Sequence, residues 1–125
     1  MMQMNRLKEP KKKGNKKKVK KRLEPTQSIM QHNEDNRCYL CMELEKDFTF
    51  KYTEEHHCIY GMANRVVSER LGLKVRLCLK HHRIGKEAVH NNSKNSLILK
   101  KAAQRRYEED HSRAEWMAEM ERNWL

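Results

Sequence analysis

Two pairs of soft metal ligands, Cys38-x-x-Cys41 and Cys78-x-x-His81, constrain this chain more than any other feature, with Cys78 following Cys41 by 37 positions. Zinc takes four such ligands in a tetrahedron, so a fold that serves both pairs must bring the two segments together. The spacing predicts one closed Zn2+ site built from Cys38, Cys41, Cys78 and His81. A closed site is structural, because no position is left for a substrate. Its binding energy would then be folding energy, on the order of 10 kcal/mol at neutral pH. The competing readings are ordinary buried cysteines or a redox Cys-x-x-Cys, but a redox motif has no use for the second pair. Cys58 stands outside both pairs and is expected as a small buried hydrophobe rather than a ligand.

A chain of 125 residues is one domain at most, and its charge is unevenly spread. Residues 1–25 hold 11 Lys/Arg against Glu9 and Glu24, whereas residues 26–125 hold 17 against 15 Asp/Glu. The formal net charge of +11 is thus almost wholly N-terminal. Lysine runs at 11–13 and 16–18 repel one another and carry too little apolar surface to fold alone. They predict a disordered basic arm over 1–25, able to contact phosphates by releasing counterions, and a folded domain over 26–125 with Pro25 at the boundary. A domain of that size buries only roughly 60–65% of its unfolded surface, so a metal would supply much of its stability. The sequence has no 18-residue apolar run and no apolar stretch near its start, so neither membrane insertion nor secretion is expected. A cytoplasmic chain keeps its thiols reduced, which favours thiolate–metal bonds over disulfides.

Local patterns give a coarse element order. Residues 26–37 read as a polar loop leading to a knuckle-like turn at the first Cys pair, and 48–60 as a strand or bent hairpin ending at His56-His57. Residues 62–71 suit a short helix, with Ala63, Val67 and Leu71 on one side and Gly72 positioned to end it. Residues 73–77 alternate apolar and basic, the pattern of a half-buried strand with a basic outer face, and deliver Cys78. Gly85 should break any helical turn after His82. Asn91, Asn92 or Ser93 can cap a helix through about residue 109 with Leu97, Ile98, Ala102 and Tyr107 inward. Ser112-x-x-Glu115 is a capping-box signature for a last helix carrying Trp116, Met117 and Met120. The fold class is small α+β.

Four histidines, His56, His57, His82 and His90, exceed what a structural zinc needs, and that surplus suggests catalysis. The order Cys-x-x-Cys, then an acidic residue with His-His on a strand, then Leu-Cys-x-x-His-His resembles the HNH nucleases, a branch of the ββα-metal (His-Me finger) endonucleases. More narrowly, Glu55-His56-His57, Ser68-Glu69, Gly72-Leu73-x-Val75, Leu77-Cys78-x-x-His81-His82 and Ala88-Val89-His90-Asn91 are similar to small HNH-like proteins encoded by phages and prophages of Gram-positive bacteria. His81 stands where such proteins often carry the second zinc cysteine, and His82 where the last HNH histidine falls.

The resemblance implies a zinc-tied ββα-metal domain with additional C-terminal helices. It implies His57 as general base and His56, His82 and His90 as ligands of one catalytic divalent metal such as Mg2+, Mn2+ or Ni2+. Asn64 is the nearest candidate for the middle Asn of HNH. A neutral imidazole can take a proton from water at physiological pH, which suits it to the base. Strand neighbours point to opposite faces, so the roles of His56 and His57 can be exchanged. His90 has a second reading as a helix-start histidine bonded to backbone, and all these histidines have a third as structural or surface residues. The expected function is metal-dependent hydrolysis of DNA in a bacterial host cell. The alternative is a non-catalytic zinc-containing DNA-binding accessory protein of phage recombination or packaging. A protein-interaction zinc finger explains neither the arm nor the extra imidazoles. Arg65, Arg70, Lys74 and Arg76 favour a nucleic-acid partner.

Overall fold

Two four-residue strands carry His56 and His57 with their neighbouring carboxylates, and strand alternation sorts these side chains onto two faces. The computed structural model describes residues 24–125, so the basic arm expected over 1–25 lies, but for its last two residues, outside the described residues. Strand β1 (Glu54–His57) pairs antiparallel with β2 (Lys74–Leu77) in the register Glu54–Leu77, Glu55–Arg76, His56–Val75 and His57–Lys74. Opposed residues share a face. His56, Val75 and Leu77 are buried with Glu54 beside them, while Glu55, His57, Lys74 and Arg76 form the other face. Five helices complete the described α+β domain: α1 (Tyr39–Glu45), α2 (Met62–Leu71), α3 (Leu79–His82), α4 (Ser93–Tyr107) and α5 (Arg113–Met120).

The strand expected over 48–60 is only four residues long. β2 ends at Leu77, where Cys78 becomes the N-cap of α3, so residues before Glu54 have no partner. The chain there touches another extended segment only through an isolated bridge from Phe50 to Arg37. The first Cys pair is likewise more than a turn. Cys38 caps α1, its Sγ accepting the Cys41 amide N–H at 3.4 Å. Cysteine is not among the usual N-cap residues, which hid the helix.

The lead-in segment does more than connect. Ile29 N–H donates to the Gly72 carbonyl at 3.0 Å, Ser28 Oγ donates to the Lys74 carbonyl at 2.6 Å, and Arg76 N–H donates to Gln31 Oε1 at 2.8 Å. These bonds cover the free edge of β2 against pairing with another chain. The face of β2 expected as basic and outward is also covered, since Lys74 is 1% exposed.

Helix α2 runs as expected and ends at Gly72 in the left-handed conformation. Of the face expected to be apolar, Val67 and Leu71 pack half-buried against the core and Ala63 is exposed, while the fully buried residue is Ser68, whose hydroxyl donates to the Ile59 carbonyl at 2.6 Å. Helix α4 is capped by Asn92, whose side chain accepts the Asn95 N–H at 3.0 Å. Its buried stripe is Leu99, Ala103 and Tyr107, four residues apart, whereas Leu97 is exposed and Ile98 and Ala102 only half-buried. The register was masked because polar residues share that stripe. Ser96 Oγ meets Tyr60 Oη at 2.9 Å, and Gln104 holds Asn123 and the Trp124 N–H, each at 2.8 Å. Helix α5 has the full Ser112/Glu115 capping box and inserts Trp116 against Tyr107, with Met120 buried and Met117 at the surface. Among the described residues no helix is long and apolar enough to cross a membrane.

Gly72 joins α2 to β2 at φ +76°, and a Cβ there would lie 2.7 Å from the Gln27 carbonyl oxygen and 3.2 Å from the Ile29 nitrogen. Left-handed geometry alone costs a residue with a side chain about 1–2 kcal/mol, and the close backbone adds to it. Gly72→Ala should therefore lower the urea midpoint of the metal-loaded protein by more than that cost implies. An unchanged midpoint would show that the lead-in segment moves aside freely.

Candidate metal centres

Cys38, Cys41, Cys78 and His81 meet in one place. The N-cap of α1 supplies Cys38, its first turn Cys41, the N-cap of α3 Cys78, and α3 itself His81. The Cys41 and Cys78 sulfurs are 3.8 Å apart, and His81 Nδ1 lies 3.4, 3.5 and 3.5 Å from the sulfurs of Cys38, Cys41 and Cys78. With zinc bonds near 2.3 Å to sulfur and 2.0–2.1 Å to nitrogen, tetrahedral edges are about 3.8 Å between sulfurs and about 3.5 Å from sulfur to nitrogen. The cluster can hold a zinc without rearrangement. Burial and the crowding of Cys38 and Cys78 push the Cys41 thiol up to about 12, a penalty that a dication among the sulfurs reverses. Burial, with Lys80 adding to it, lowers the His81 pKa and keeps the imidazole neutral as a ligand must be. Three thiolates and Zn2+ leave one negative charge, and Lys51 Nζ sits 3.4 Å from Cys41 Sγ to offset it. His81 Nε2 is buried without a hydrogen bond, with Glu45 and Glu87 carboxylates at 3.6 and 3.8 Å. Cys58 is buried apart from the cluster, its thiol directed at Met30 Sδ, as a small hydrophobe should be.

A second group forms beside the first. His56 from β1, His82 from the end of α3 and His90 from the loop before α4 bring ring centroids to 5.3, 5.3 and 5.1 Å from one another. They can present one nitrogen each to a common ion. His56 Nε2 is a buried polar atom without a partner. Burial, then the neighbouring His82 and His90, drive the His56 pKa down to about 3. His90 is lowered by burial and by His82. His82 Nδ1 meets Glu54 Oε1 at 2.8 Å, which leaves Nε2 for a metal, and a carboxylate behind a ligating imidazole fixes its tautomer. Arg83, His82 and Tyr52 all bond to Glu54 and hold its carboxyl well below the usual range. The three imidazoles line an open cavity of about 540 Å3 shared with Glu55, His57, Tyr60 and Arg65.

His57 points to the opposite face of β1 from His56, as strand alternation requires. Its Nε2 lies 2.8 Å from Glu69 Oε1 and 3.6 Å from Glu55 Oε2. Lys74 Nζ sits among the same carboxylates, 3.0 Å from both Glu69 oxygens and 3.2 Å from Glu55. Burial raises the Glu69 pKa, but hydrogen bonds from His57 and Lys74 outweigh it and leave Glu69 at about 2. Glu55, His57 and Glu69 have the makings of a metal site, yet the lysine ammonium already occupies the cation position.

The structure thus brings His56, His82 and His90 together and sets His57 on the cavity's edge with a carboxylate partner. It does not bring Asn64 to them: its amide donates to the Tyr60 carbonyl at 3.4 Å, and it is not among the cavity-lining residues. Two functional candidates escaped the sequence reading. Glu54 was detectable, because alternation backward from His56 selects Glu54 rather than Glu55 as the same-face acid. Glu69 was not, because only the packing of α2 on β1 brings it to His57. Comparison of the chain with protein-family models, curated proteins and solved structures finds no match in any of the three.

The Cys3His geometry predicts one zinc per chain. Cys78→Ser should lose that zinc and the cooperative thermal transition together, as should prolonged exposure to a strong chelator, because both remove the tie between α1 and α3. Purified protein without zinc whose melting is indifferent to chelator would contradict the assignment.

Proposed function

We propose that this chain is a metal-dependent endonuclease of the HNH (ββα-metal) type that hydrolyses DNA phosphodiester bonds. The observation that carries the reading is the convergence of His56, His82 and His90, one with an orphaned buried nitrogen, on an open cavity edged by a fourth histidine. Its support includes the element order: a two-stranded sheet with a histidine pair on the first strand, followed by a short helix carrying His82. That order is what the HNH resemblance implies.

A divalent cation held by the three imidazoles would neutralise charge on the scissile phosphate and on the departing 3′ oxygen. His57 performs the proton transfer. With its Nε2 hydrogen directed at Glu69, Nδ1 is the nitrogen left to accept a proton from water. The resulting hydroxide attacks phosphorus, the bond to the 3′ oxygen breaks, that oxygen takes a proton from solvent, and the products are a 5′ phosphate and a 3′ hydroxyl. Glu69 is a positioning residue, itself held by Lys74 and the Thr26 N–H. Arg65 lines the cavity with no carboxylate partner among the described residues and supplies positive charge for the phosphate. One observation favours a second reading, a non-catalytic zinc-containing DNA-binding protein: no amide accompanies the histidine group, since Asn64 faces elsewhere.

Plasmid nicking with Mg2+, Mn2+ or Ni2+ decides between them. His57→Ala should lower cleavage about 10²–10⁴-fold, the usual worth of a positioned base, with zinc content unchanged. His82→Ala should also abolish cleavage, but raised Mn2+ should restore part of it. No rescue is expected for His57→Ala, which lacks a proton acceptor. A wild type that binds DNA and cuts none with any of these ions replaces the nuclease with the second reading.

Glu54→Gln keeps the shape and removes the charge behind His82. Its Mn2+ affinity, read by calorimetry rather than by cleavage, should fall about 10–100-fold, the usual worth of a partner behind a ligating histidine. Unchanged affinity would mean that His82 is not a ligand.

A further inference from the structure

The chain has two phenylalanines, and both are outside: Phe48 is 56% and Phe50 76% exposed, with Tyr52 beside them at 66%. The core is filled without them, although large aromatic side chains contribute most when buried. All three sit at alternate positions of the segment leading into β1. Phe50 and Tyr52 border a shallow groove of about 540 Å3, whose remaining walls are Asn36, Lys51, Thr53 and Arg76. Lys51 is committed to Asp47 at 2.9 Å. Arg76 is not so committed: its guanidinium donates to Thr53 Oγ1 and to the Thr53 carbonyl, and it has no carboxylate partner among the described residues. The Arg37 guanidinium lies 5.6 Å from the Phe50 centroid but is paired with Asp35, both contacts at 2.9 Å.

We infer that this groove holds an unpaired nucleobase of a single-stranded or splayed nucleic-acid strand, stacked on Phe50 and Tyr52, with its phosphate on the Arg76 guanidinium. Exposed rings beside a cation free of carboxylates, here Arg76, are what single strands require, because every base offers a π-face and every nucleotide a phosphate. A base inside a duplex is already stacked and cannot present that face. Hydrogen bonds through Glu54 also link the groove to the histidine group. Tyr52 Oη donates to Glu54 Oε2 at 2.8 Å, and the other oxygen of Glu54 holds His82 at 2.8 Å. A strand lying on Tyr52 therefore passes one side chain away from the cavity. The inference rests on the proposed DNA-directed function for the class of occupant, but not on cleavage.

The test is binding by the full, zinc-loaded chain with no added divalent metal, using anisotropy of a fluorescein-labelled oligothymidylate and of a blunt duplex of the same length. The double substitution Phe50→Ala/Tyr52→Ala should weaken oligothymidylate at least about ten-fold, since stacking is worth that much per base, and change the duplex less than about two-fold. Arg76→Gln should flatten the log K versus log salt slope for the single strand by about 0.7, one phosphate contact. Phe50→Trp should keep the affinity, and its fluorescence should be quenched by oligothymidylate. Phe50 and Tyr52 are exposed, so the melting temperature of the double variant should hold and separates lost binding from lost folding. Equal losses on both probes, no loss on either, or concentration-dependent self-association abolished by the double substitution would each overturn the proposal. A chain that nicks plasmid without preferring the single strand overturns the groove alone. One that prefers the single strand but cuts nothing keeps the groove and removes the nuclease.

Discussion

Everything in this domain hangs on holding residues 38–41 against residues 78–81. Three sulfurs and one imidazole nitrogen, 3.4–3.8 Å apart where they touch, are poor company without a cation, since crowding and burial oppose thiolate formation. With a dication among them they become a cross-link between two segments far apart in sequence. The cross-link sets the start of α1 and the start of α3, and α3 sets the end of β2. Because β2 stops there, β1 also stops, and four paired residues are all the sheet available. A sheet so short is marginal by itself. Its free edge is closed by Ser28, Ile29 and Gln31 side chains and backbone, and the helices supply the remaining apolar cover.

That small sheet separates two chemical environments across one strand. His56 and His57 are neighbours in sequence but not in environment. His56 is buried, unable to hold a proton at neutral pH, and joined by two further imidazoles. His57 is half-exposed and surrounded by two carboxylates and an ammonium. One peptide unit thus separates a place suited to binding a cation from a place suited to moving a proton, and the pleat of the strand is the insulator. The cavity reaches both because it opens at the strand's end, where His57, Gly61 and Arg65 turn the corner into α2.

Much of this was legible because spacing and alternation are local. The Cys and His pairs announce their shared site, α2 announces its end at Gly72, and the Ser112/Glu115 box announces α5. The failures have physical causes. Cys38 as an N-cap concealed α1, because a thiol is an unusual cap. Polar residues that find partners in the core, Ser96 and Gln104 above all, concealed the inward stripe of α4. Lys74 read as a surface charge because nothing local to β2 reveals that Glu55 and Glu69 converge on it. The site followed the same division. The histidine group was legible by position and Glu54 by alternation, whereas Glu69 reaches His57 only through the packing of α2, and Asn64 is turned to the Tyr60 carbonyl.

His81 and His82 are consecutive, yet they serve different centres, His81 in the sulfur cluster and His82 in the imidazole group. The loop that carries the third imidazole is tied to the same turn, since the Val89 N–H donates to the His81 carbonyl at 2.8 Å and precedes His90 directly. The turn is therefore a shared hinge pin. An ion that organises the sulfur cluster also places His82 and the stem of His90, whereas an ion among the imidazoles has no comparable hold on Cys38 or Cys41. The two centres stand in a hierarchy of assembly: the inner one is a keystone, and the outer one inherits its shape.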